Sequence, residues 1–128
     1  MTLRIVRLGS ARVKGEGTRI GAVRHLPRGV KKERYGPDDW LDVWYPELSP
    51  SAPLVKRALG AKSQKEWNAF VRSFRSEMKK PSAQHTLQLL ATLSHHSDFS
   101  IGCYCEQEGR CHRSVLRELL AKQGAKIG

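Results

Sequence analysis

The sequence predicts an α/β fold: a single small domain, residues 1–128, with a short, mainly parallel central sheet covered by helices. Apolar residues alternate with a period of two in Phe99–Cys105, and this stretch is expected to form a strand together with the short apolar stretches Leu3–Leu8 and Ile20–Val23. Apolar residues recur at helical spacing in residues 65–79, 84–94 and 112–122, which predicts three helices. The helices between the second and third strands supply the crossover that a parallel pair requires.

Capping residues define the ends of the best predicted helix. Ser63 and Glu66 are three positions apart and match the capping-box pattern, in which each side chain bonds the backbone of the other residue. Pro81 is expected to end this helix, and Ser82 is expected to cap the next one.

Two shorter helices are predicted before residue 63. Pro53–Leu59 follows Ser51, a candidate cap, and ends before a glycine. Asp38–Val43 lies between two prolines, and on a helix Trp40 and Trp44 would share one face. Aromatic residues at that spacing favour core packing over a base-stacking platform.

The chain is strongly basic. Lysine and arginine outnumber aspartate and glutamate by 23 to 12, which gives a formal net charge of +11. This balance favours an anionic partner, either a small molecule or nucleic acid, although a basic solvated surface gives the same count. No apolar run approaches the roughly 18 residues of a membrane span, and the first residues lack the apolar stretch of a signal peptide. We therefore expect a cytoplasmic protein without a membrane partner.

The segment Phe99–Leu120 is the most informative stretch of the chain. Its pattern predicts a strand, a polar loop over Glu106–Arg110, and a helix that begins near Cys111. Ligands collect at such junctions in open α/β sheets, because the loop leaves the carboxyl end of the strand and the helix N-terminus faces it. All three cysteines lie here; their odd number and a reducing compartment argue against a disulfide framework.

Five motifs along most of the chain point to one known family. They are Ile20–Gly29 (IGAVRHLPRG), Trp40-Leu41, Leu48–Ser51 (LSPS), the helix led by Trp67, and Cys111–Ser114 (CHRS). Together they resemble the domain of unknown function family 488, the YeaO-like group of small bacterial proteins. The resemblance implies a small α/β domain and supplies no established activity.

Four soft ligands lie within ten positions: Cys103, Cys105, Cys111 and His112. Zinc and iron–sulfur sites use such donors. The spacing differs from the usual C-x-x-C knuckle, a C-x-C pair on a strand chelates poorly, and adjacent Cys111 and His112 should diverge at a helix start. We therefore predict no resident metal or other cofactor, with this four-residue site as the alternative.

Cys111 and His112 are the candidate catalytic pair of a cysteine-dependent enzyme. Cys111 begins a helix beside Arg110 and His112, and both a helix N-terminus and neighbouring cations lower a thiol pKa. The strict phosphatase-type loop requires an arginine six positions after the cysteine and is absent, since the sixth residue after Cys105 is Cys111. The alternative is that Cys103 and Cys105 are small core residues and that Cys111 has no role.

Arg113 and the Ser114 hydroxyl, with the backbone amides of the helix start, can bind an oxyanion. Arg24 and Arg28 leave a strand by a Pro-Gly turn and complete this pocket if that strand neighbours the last one. The planar fork of arginine suits a phosphate or nucleotide-type ligand. The alternative is that Arg113 pairs with a nearby acid such as Glu106 or Glu108.

The competing hypothesis is a non-sequence-specific nucleic-acid-binding protein that uses its basic surface. Its affinity would come from dispersed lysine and arginine and would fall steeply with salt. The sequence contains no recognised nucleic-acid-binding motif. The oxyanion pocket is therefore the first hypothesis.

Overall fold

Four parallel strands form one sheet in the computed structural model, which describes all 128 residues. In chain order the strands are β1 (Leu3–Arg7), β2 (Thr18–Gly21), β3 (Val43–Trp44) and β4 (Phe99–Cys103). Their order across the sheet is β1-β4-β2-β3, and every neighbouring pair is parallel. This confirms the predicted α/β class and sheet type. It also places the carboxyl ends of all four strands at one edge of the sheet.

Strand β4 occupies an interior position in the sheet and is buried along its whole length. It ends at Cys103, two residues before the predicted end, so Tyr104 and Cys105 belong to the following loop. Its neighbours approach closely at Gly102, where a Cβ atom would lie 2.7 Å from a methyl carbon of Leu8 and 2.9 Å from the Val6 carbonyl oxygen. Only glycine fits this contact without displacing β1.

Four helices accompany the sheet. They are α1 (Ala52–Gly60), α2 (Gln64–Glu77), α3 (Pro81–Leu93) and α4 (His112–Lys122). The helices predicted over 65–79, 84–94 and 112–122 are confirmed, although α3 begins three residues earlier. Phe70 and Phe74 of α2, Leu87 of α3 and Leu116 of α4 pack with Ile101 of β4 in the main core. None of the helices is long and apolar enough to cross a membrane.

The capping box of α2 is confirmed for the hydrogen bond from the Glu66 backbone to the Ser63 side chain. The Glu66 backbone N–H donates to Ser63 Oγ at 3.1 Å, and the Glu66 carboxylate accepts from the Ser63 hydroxyl and the Lys62 backbone N–H. The predicted cap at Ser82 is wrong, because Ser82 lies inside α3 and Pro81 is its first residue. The fixed φ of proline suits that first position, which moves the helix start ahead of the serine.

The predicted helix over Asp38–Val43 is wrong. These residues form turns in which Asp39 adopts a left-handed conformation (φ 64°), and β3 follows by pairing with β2. The Asp42 carboxylate accepts the Arg19 backbone N–H at 2.8 Å, which fixes the chain at the sheet edge. Trp40 and Trp44 therefore share no helix face: Trp40 packs against Tyr104, and Trp44 is 44% exposed on the edge strand. Pairing with β2 outweighs the local helical spacing.

A buried ion pair lies beside the sheet. Arg19 of β2 is fully buried and donates to both carboxylate oxygens of Glu16, at 2.7 and 2.9 Å. Arg19 also donates to the carbonyls of Ser10 and Asp39, and Ser100 of β4 donates to Glu16 at 2.9 Å. These contacts fasten the loop between β1 and β2 to the sheet.

Candidate functional site

A pocket of about 660 Å³ opens at the carboxyl edge of the sheet, and we call it the edge pocket. Its lining includes residues that follow three of the strands: Leu8 after β1, Val23 after β2, and Cys105 after β4. Helices α1 and α2 contribute an apolar wall, made of Val55, Ala58, Leu59, Trp67 and Phe70. The volume falls within the range of about 300–1,000 Å³ that is typical of small-molecule sites. Open parallel sheets bind their ligands at this place.

Cys103, Cys105, Cys111 and His112 all line the edge pocket, and we call them the cysteine–histidine cluster. The ligand atoms of Cys103, Cys111 and His112 all lie within 4.8 Å of one another. Cys105 Sγ is 3.9 Å from Cys103 Sγ, and Cys111 Sγ is 3.9 Å from His112 Nδ1. The three cysteines are free thiols.

The expected divergence of Cys111 and His112 is wrong. Cys111 is in an extended conformation at the helix cap, with φ −134° and ψ 148°, whereas His112 is the first helical residue. This bend brings the Cys111 thiol over the first turn, where Sγ accepts the Arg113 backbone N–H at 3.5 Å. The change of backbone conformation turns two adjacent side chains to the same place.

The ring of His112 is held from two sides. Its Nε2 lies 2.6 Å from the Ala22 carbonyl oxygen, and its plane meets the Phe74 ring edge-on at a centroid distance of 5.6 Å. A carbonyl oxygen only accepts hydrogen bonds, so Nε2 carries the proton and a lone pair remains on Nδ1 of the neutral ring. Nδ1 is the atom near Cys111, and the imidazole therefore presents an acceptor to the cluster.

The thiols of the cluster influence one another. Hydrogen bonds from Cys103 and Cys111, and more weakly the charge of Arg113, lower the pKa of the Cys105 thiol well below its usual value despite partial burial. The hydrogen bond to Cys105 raises the pKa of Cys103, and burial adds to this effect. Cys105 is therefore the member of the cluster that most readily becomes a thiolate.

Arg113 is buried beside the loop rather than lining the edge pocket. Its side chain donates to the Cys105 carbonyl at 2.6 Å, and its Nε has no partner. The nearby acids pair elsewhere: Glu106 lies near Arg7, and Glu108 forms a salt bridge with Arg117. The positive charge of Arg113 therefore faces no carboxylate.

The other predicted anion-binding residues divide into two groups. Ser114 donates its hydroxyl to the Cys111 carbonyl at 2.9 Å and does not line the pocket. Arg24 and Arg28 do line it. Arg24 donates through Nε and one terminal nitrogen to the carbonyls of Pro46, Ser49 and Pro50, which leaves its Nη1 without a protein partner. Arg28 is exposed and makes no hydrogen bond or ion pair.

Several residues of the edge pocket were not among the predicted site residues. Arg7, Trp40, Tyr104 and Arg110 also line it, and Arg110 lies over the Trp67 ring at 5.8 Å from the centroid. Arg7 ends β1, so the predicted sheet contained a signal for its place at the carboxyl edge. Trp40 carried no such signal, because its position depends on the turn that replaces the predicted helix.

Comparison with known proteins is informative at the family level. No curated protein and no solved structure matches the chain. One family model matches residues 3–124, nearly the whole chain, and its description is the active DUF488-N3 subclade. The chain belongs to the DUF488 family.

Proposed function

We propose that the chain is a cysteine-dependent enzyme that acts on a small anionic ligand of nucleotide size. The observation that carries this proposal is the composition of the edge pocket. One cavity at the carboxyl edge of a parallel sheet is lined by arginines, by apolar and aromatic side chains, and by the cysteine–histidine cluster. The family description as an active subclade agrees with an enzyme, and a reducing cytoplasm would keep the thiols free.

Two arginines supply the anion-binding part of this proposal. Arg28 has no protein partner. Arg24 uses its Nε and one terminal nitrogen to hold the segment around Pro50, and its Nη1 remains free for a ligand. Phosphate accepts hydrogen bonds from guanidinium groups in a planar, often bidentate geometry. Arg113, which the sequence placed in the same role, supports the loop through the Cys105 carbonyl instead.

The apolar wall of the edge pocket is the basis for proposing a nucleotide as the ligand. Trp67 and Phe70 of α2 are buried, at 5% and 1% exposed, whereas Leu59 of α1, which lines the same wall, is 80% exposed. This exposed leucine, together with the partly exposed rings of Trp40 and Tyr104 in the same lining, offers contact area to a flat apolar body. A nucleotide combines such a body with a phosphate, and for this reason it fits the lining better than phosphate alone.

The cluster supplies the reactive part. Cys111 and His112 are nearly buried, at 1% and 7% exposed, whereas Cys105 is only partly buried. We therefore assign contact with the ligand to Cys105, and we retain Cys111 and His112 as members of the reactive group behind it. Removal of Cys105 should abolish turnover and leave anion binding intact.

Ligand binding is tested by calorimetry with inorganic phosphate and with a nucleoside monophosphate. We expect tighter binding of the nucleotide and a roughly 10- to 150-fold loss of affinity in Arg28→Ala, because hydrogen bonds to charged groups contribute about 1.5–3 kcal/mol. The matched control is Arg72→Ala, an exposed arginine of α2 outside the pocket, which should bind as the wild type does. Equal affinities in all three proteins would refute the assigned pocket.

Turnover is tested by incubating a nucleotide mixture with the wild type and with Cys105→Ser, followed by untargeted mass spectrometry. We expect the wild type alone to deplete a component and form a product. If the mixture is unchanged by the wild type, or changed equally by both proteins, a cysteine-dependent reaction on nucleotides is excluded.

The second candidate function is non-sequence-specific nucleic-acid binding. A basic groove between α2 and α4 favours it: Arg72, Arg75, Lys79 and Lys122 line this groove, and of these only Arg75 pairs with an acid, Glu118. Binding through this groove should weaken steeply as salt rises, whatever the base sequence. Fluorescence anisotropy with two unrelated oligonucleotides at several salt concentrations tests this. Binding that persists at high salt would contradict it.

A further inference from the structure

We infer that the cysteine–histidine cluster is a zinc site in which Cys103, Cys111 and His112 bind one Zn²⁺ and leave a fourth coordination position open to the edge pocket. The donor set is two thiolates and one imidazole, which zinc favours over harder oxygen donors. The three residues come from two elements, the end of β4 and the start of α4. Their convergence depends on the tertiary fold and is not a consequence of sequence proximity alone.

The distances suit a tetrahedral ion. Bonds of about 2.3 Å to sulfur and about 2.0–2.1 Å to nitrogen place neighbouring ligand atoms roughly 3.4–3.8 Å apart. Cys111 Sγ and His112 Nδ1 are already 3.9 Å apart, and all three ligand atoms lie within 4.8 Å of one another. Side-chain adjustments of about 1 Å or less would therefore complete the site.

The surroundings of His112 match those of a metal ligand. Histidine ligands usually donate their second ring nitrogen to a carbonyl or carboxylate, which fixes the tautomer and the ring orientation. Nε2 of His112 lies 2.6 Å from the Ala22 carbonyl oxygen, and Phe74 packs against the ring. Nδ1 therefore holds its lone pair toward the cysteines before any metal arrives.

Burial also favours the ion. Cys103, Cys111 and His112 are 6%, 1% and 7% exposed, so water would reach the metal only through its open position. Two thiolates neutralise the two charges of Zn²⁺, and no buried net charge results. Apart from the Arg113 backbone N–H that Cys111 accepts, the Cys103 and Cys111 thiols have only the other cysteines and the imidazole as polar partners.

Cys105 is assigned a place beside the metal rather than on it. Its Sγ is 3.9 Å from Cys103 Sγ but does not belong to the group of atoms that all lie within 4.8 Å. Catalytic zinc sites have three protein ligands and one position for water or substrate. Use of that position by the anionic ligand rests on the proposed function, whereas the zinc itself does not.

Metal analysis of protein purified without a tag under reducing conditions tests the site. We expect close to one zinc per chain in the wild type and loss of zinc in Cys103→Ser and in His112→Ala. Cys105→Ser should retain zinc, and so should His25→Ala, the control that removes an exposed histidine of the same pocket. A wild type that stays well below one zinc after reconstitution refutes the site, and loss of zinc in Cys105→Ser refutes the open position.

Cobalt substitution tests the wild type without relying on variants that can fail to fold. Co²⁺ in the proposed site should give the intense visible bands of tetrahedral coordination and a thiolate-to-cobalt charge-transfer band. Weak bands without charge transfer would overturn the assignment. Phosphate calorimetry on the same samples separates the two proposals, because ligand binding without zinc refutes only the metal site, and zinc without ligand binding refutes only the proposed function.

Discussion

Two buried arginines, Arg19 and Arg113, have different partners. Arg19 donates to the carboxylate of Glu16, whose own side chain is 2% exposed. Arg113 is 4% exposed and donates to a backbone carbonyl, while its Nε has no partner. A buried charge is costly unless it is paired and hydrogen-bonded. We therefore expect Arg19 to contribute to global stability and Arg113 to the local order of the cluster.

Replacement of Glu16 should destabilise the whole fold. Glu16→Gln leaves the buried Arg19 charge unpaired, and we expect a loss of about 3–5 kcal/mol in the free energy of unfolding at neutral pH, measured by urea denaturation. Glu33→Gln is the matched control, since Glu33 is exposed and forms no ion pair, and it should change stability by less than about 0.5 kcal/mol. Similar effects of the two substitutions would contradict the assigned role of the pair.

The pair of Glu16 and Arg19 also predicts how the free energy of unfolding depends on pH. Burial raises the pKa of Glu16, but hydrogen bonds from Arg19 and Ser100 lower it further, so the pKa lies below its ordinary value. A carboxyl with a lowered folded-state pKa adds stability that is fully present above its unfolded pKa of about 4.3 and is lost as the pH falls through the folded pKa. The stability difference between the wild type and Glu16→Gln should therefore shrink in acid. Denaturation curves that keep a constant difference down to pH 2 would argue against this account.

Replacement of Arg113 should loosen the loop rather than remove the anion site. Arg113→Ala leaves the Cys105 carbonyl without its donor, and amide hydrogen exchange should accelerate over residues 104–110. Phosphate affinity should fall less than in Arg28→Ala, because Arg113 does not line the edge pocket. A complete loss of phosphate binding with unchanged exchange would show that Arg113 contacts the anion.

At the scale of elements, the two serines near helix starts differ in a way that mutation can measure. Ser63 accepts the Glu66 backbone N–H, whereas Ser82 lies within α3 and its side chain caps nothing. Ser63→Ala should therefore cost about 1 kcal/mol of stability, and Ser82→Ala should be close to neutral. Thermal denaturation of both variants checks this. A larger loss of stability in Ser82→Ala than in Ser63→Ala would indicate that Ser82 caps α3.

The elements with strong local signals could be predicted from the sequence. Contacts within a few residues determine these signals. They are the helical spacing of apolar residues in α2, its capping box, the alternation of apolar residues in β4, and the start of α4. Residues 38–44 could not be predicted in this way, because pairing with β2 and the hydrogen bond from Arg19 to Asp42 come from distant parts of the chain. Local spacing indicated a helix, and tertiary pairing produced turns and an edge strand.

The location of the candidate site could be predicted from the sequence. Which of its residues line the pocket and which support the loop could not. The parallel arrangement of β2 and β4 brings the predicted Arg24 and Arg28 to the same pocket as the cluster. The inward position of Arg113 and the bend at Cys111 depend on side-chain packing that no local pattern records.

Across the whole molecule, two separate cavities are each lined by several basic side chains. Arg24, Arg28 and Arg110 line the edge pocket, and the groove between α2 and α4 carries a second set of cations. The first set adjoins the cysteine–histidine cluster and apolar surface, which suits a small ligand. The second lacks the cluster, and Leu119 is the one apolar side chain that lines it, which suits a polyanion held mainly by charge.

The central claim is that the edge pocket binds an anionic ligand beside the cysteine–histidine cluster. A crystal structure of the protein grown with a nucleoside monophosphate, with anomalous data at the zinc absorption edge, tests it most directly. We expect phosphate within hydrogen-bond distance of Arg28, the base against the exposed Leu59, and one zinc peak between Cys103, Cys111 and His112. An edge pocket without nucleotide, with the ligand found in the α2–α4 groove instead, would contradict it.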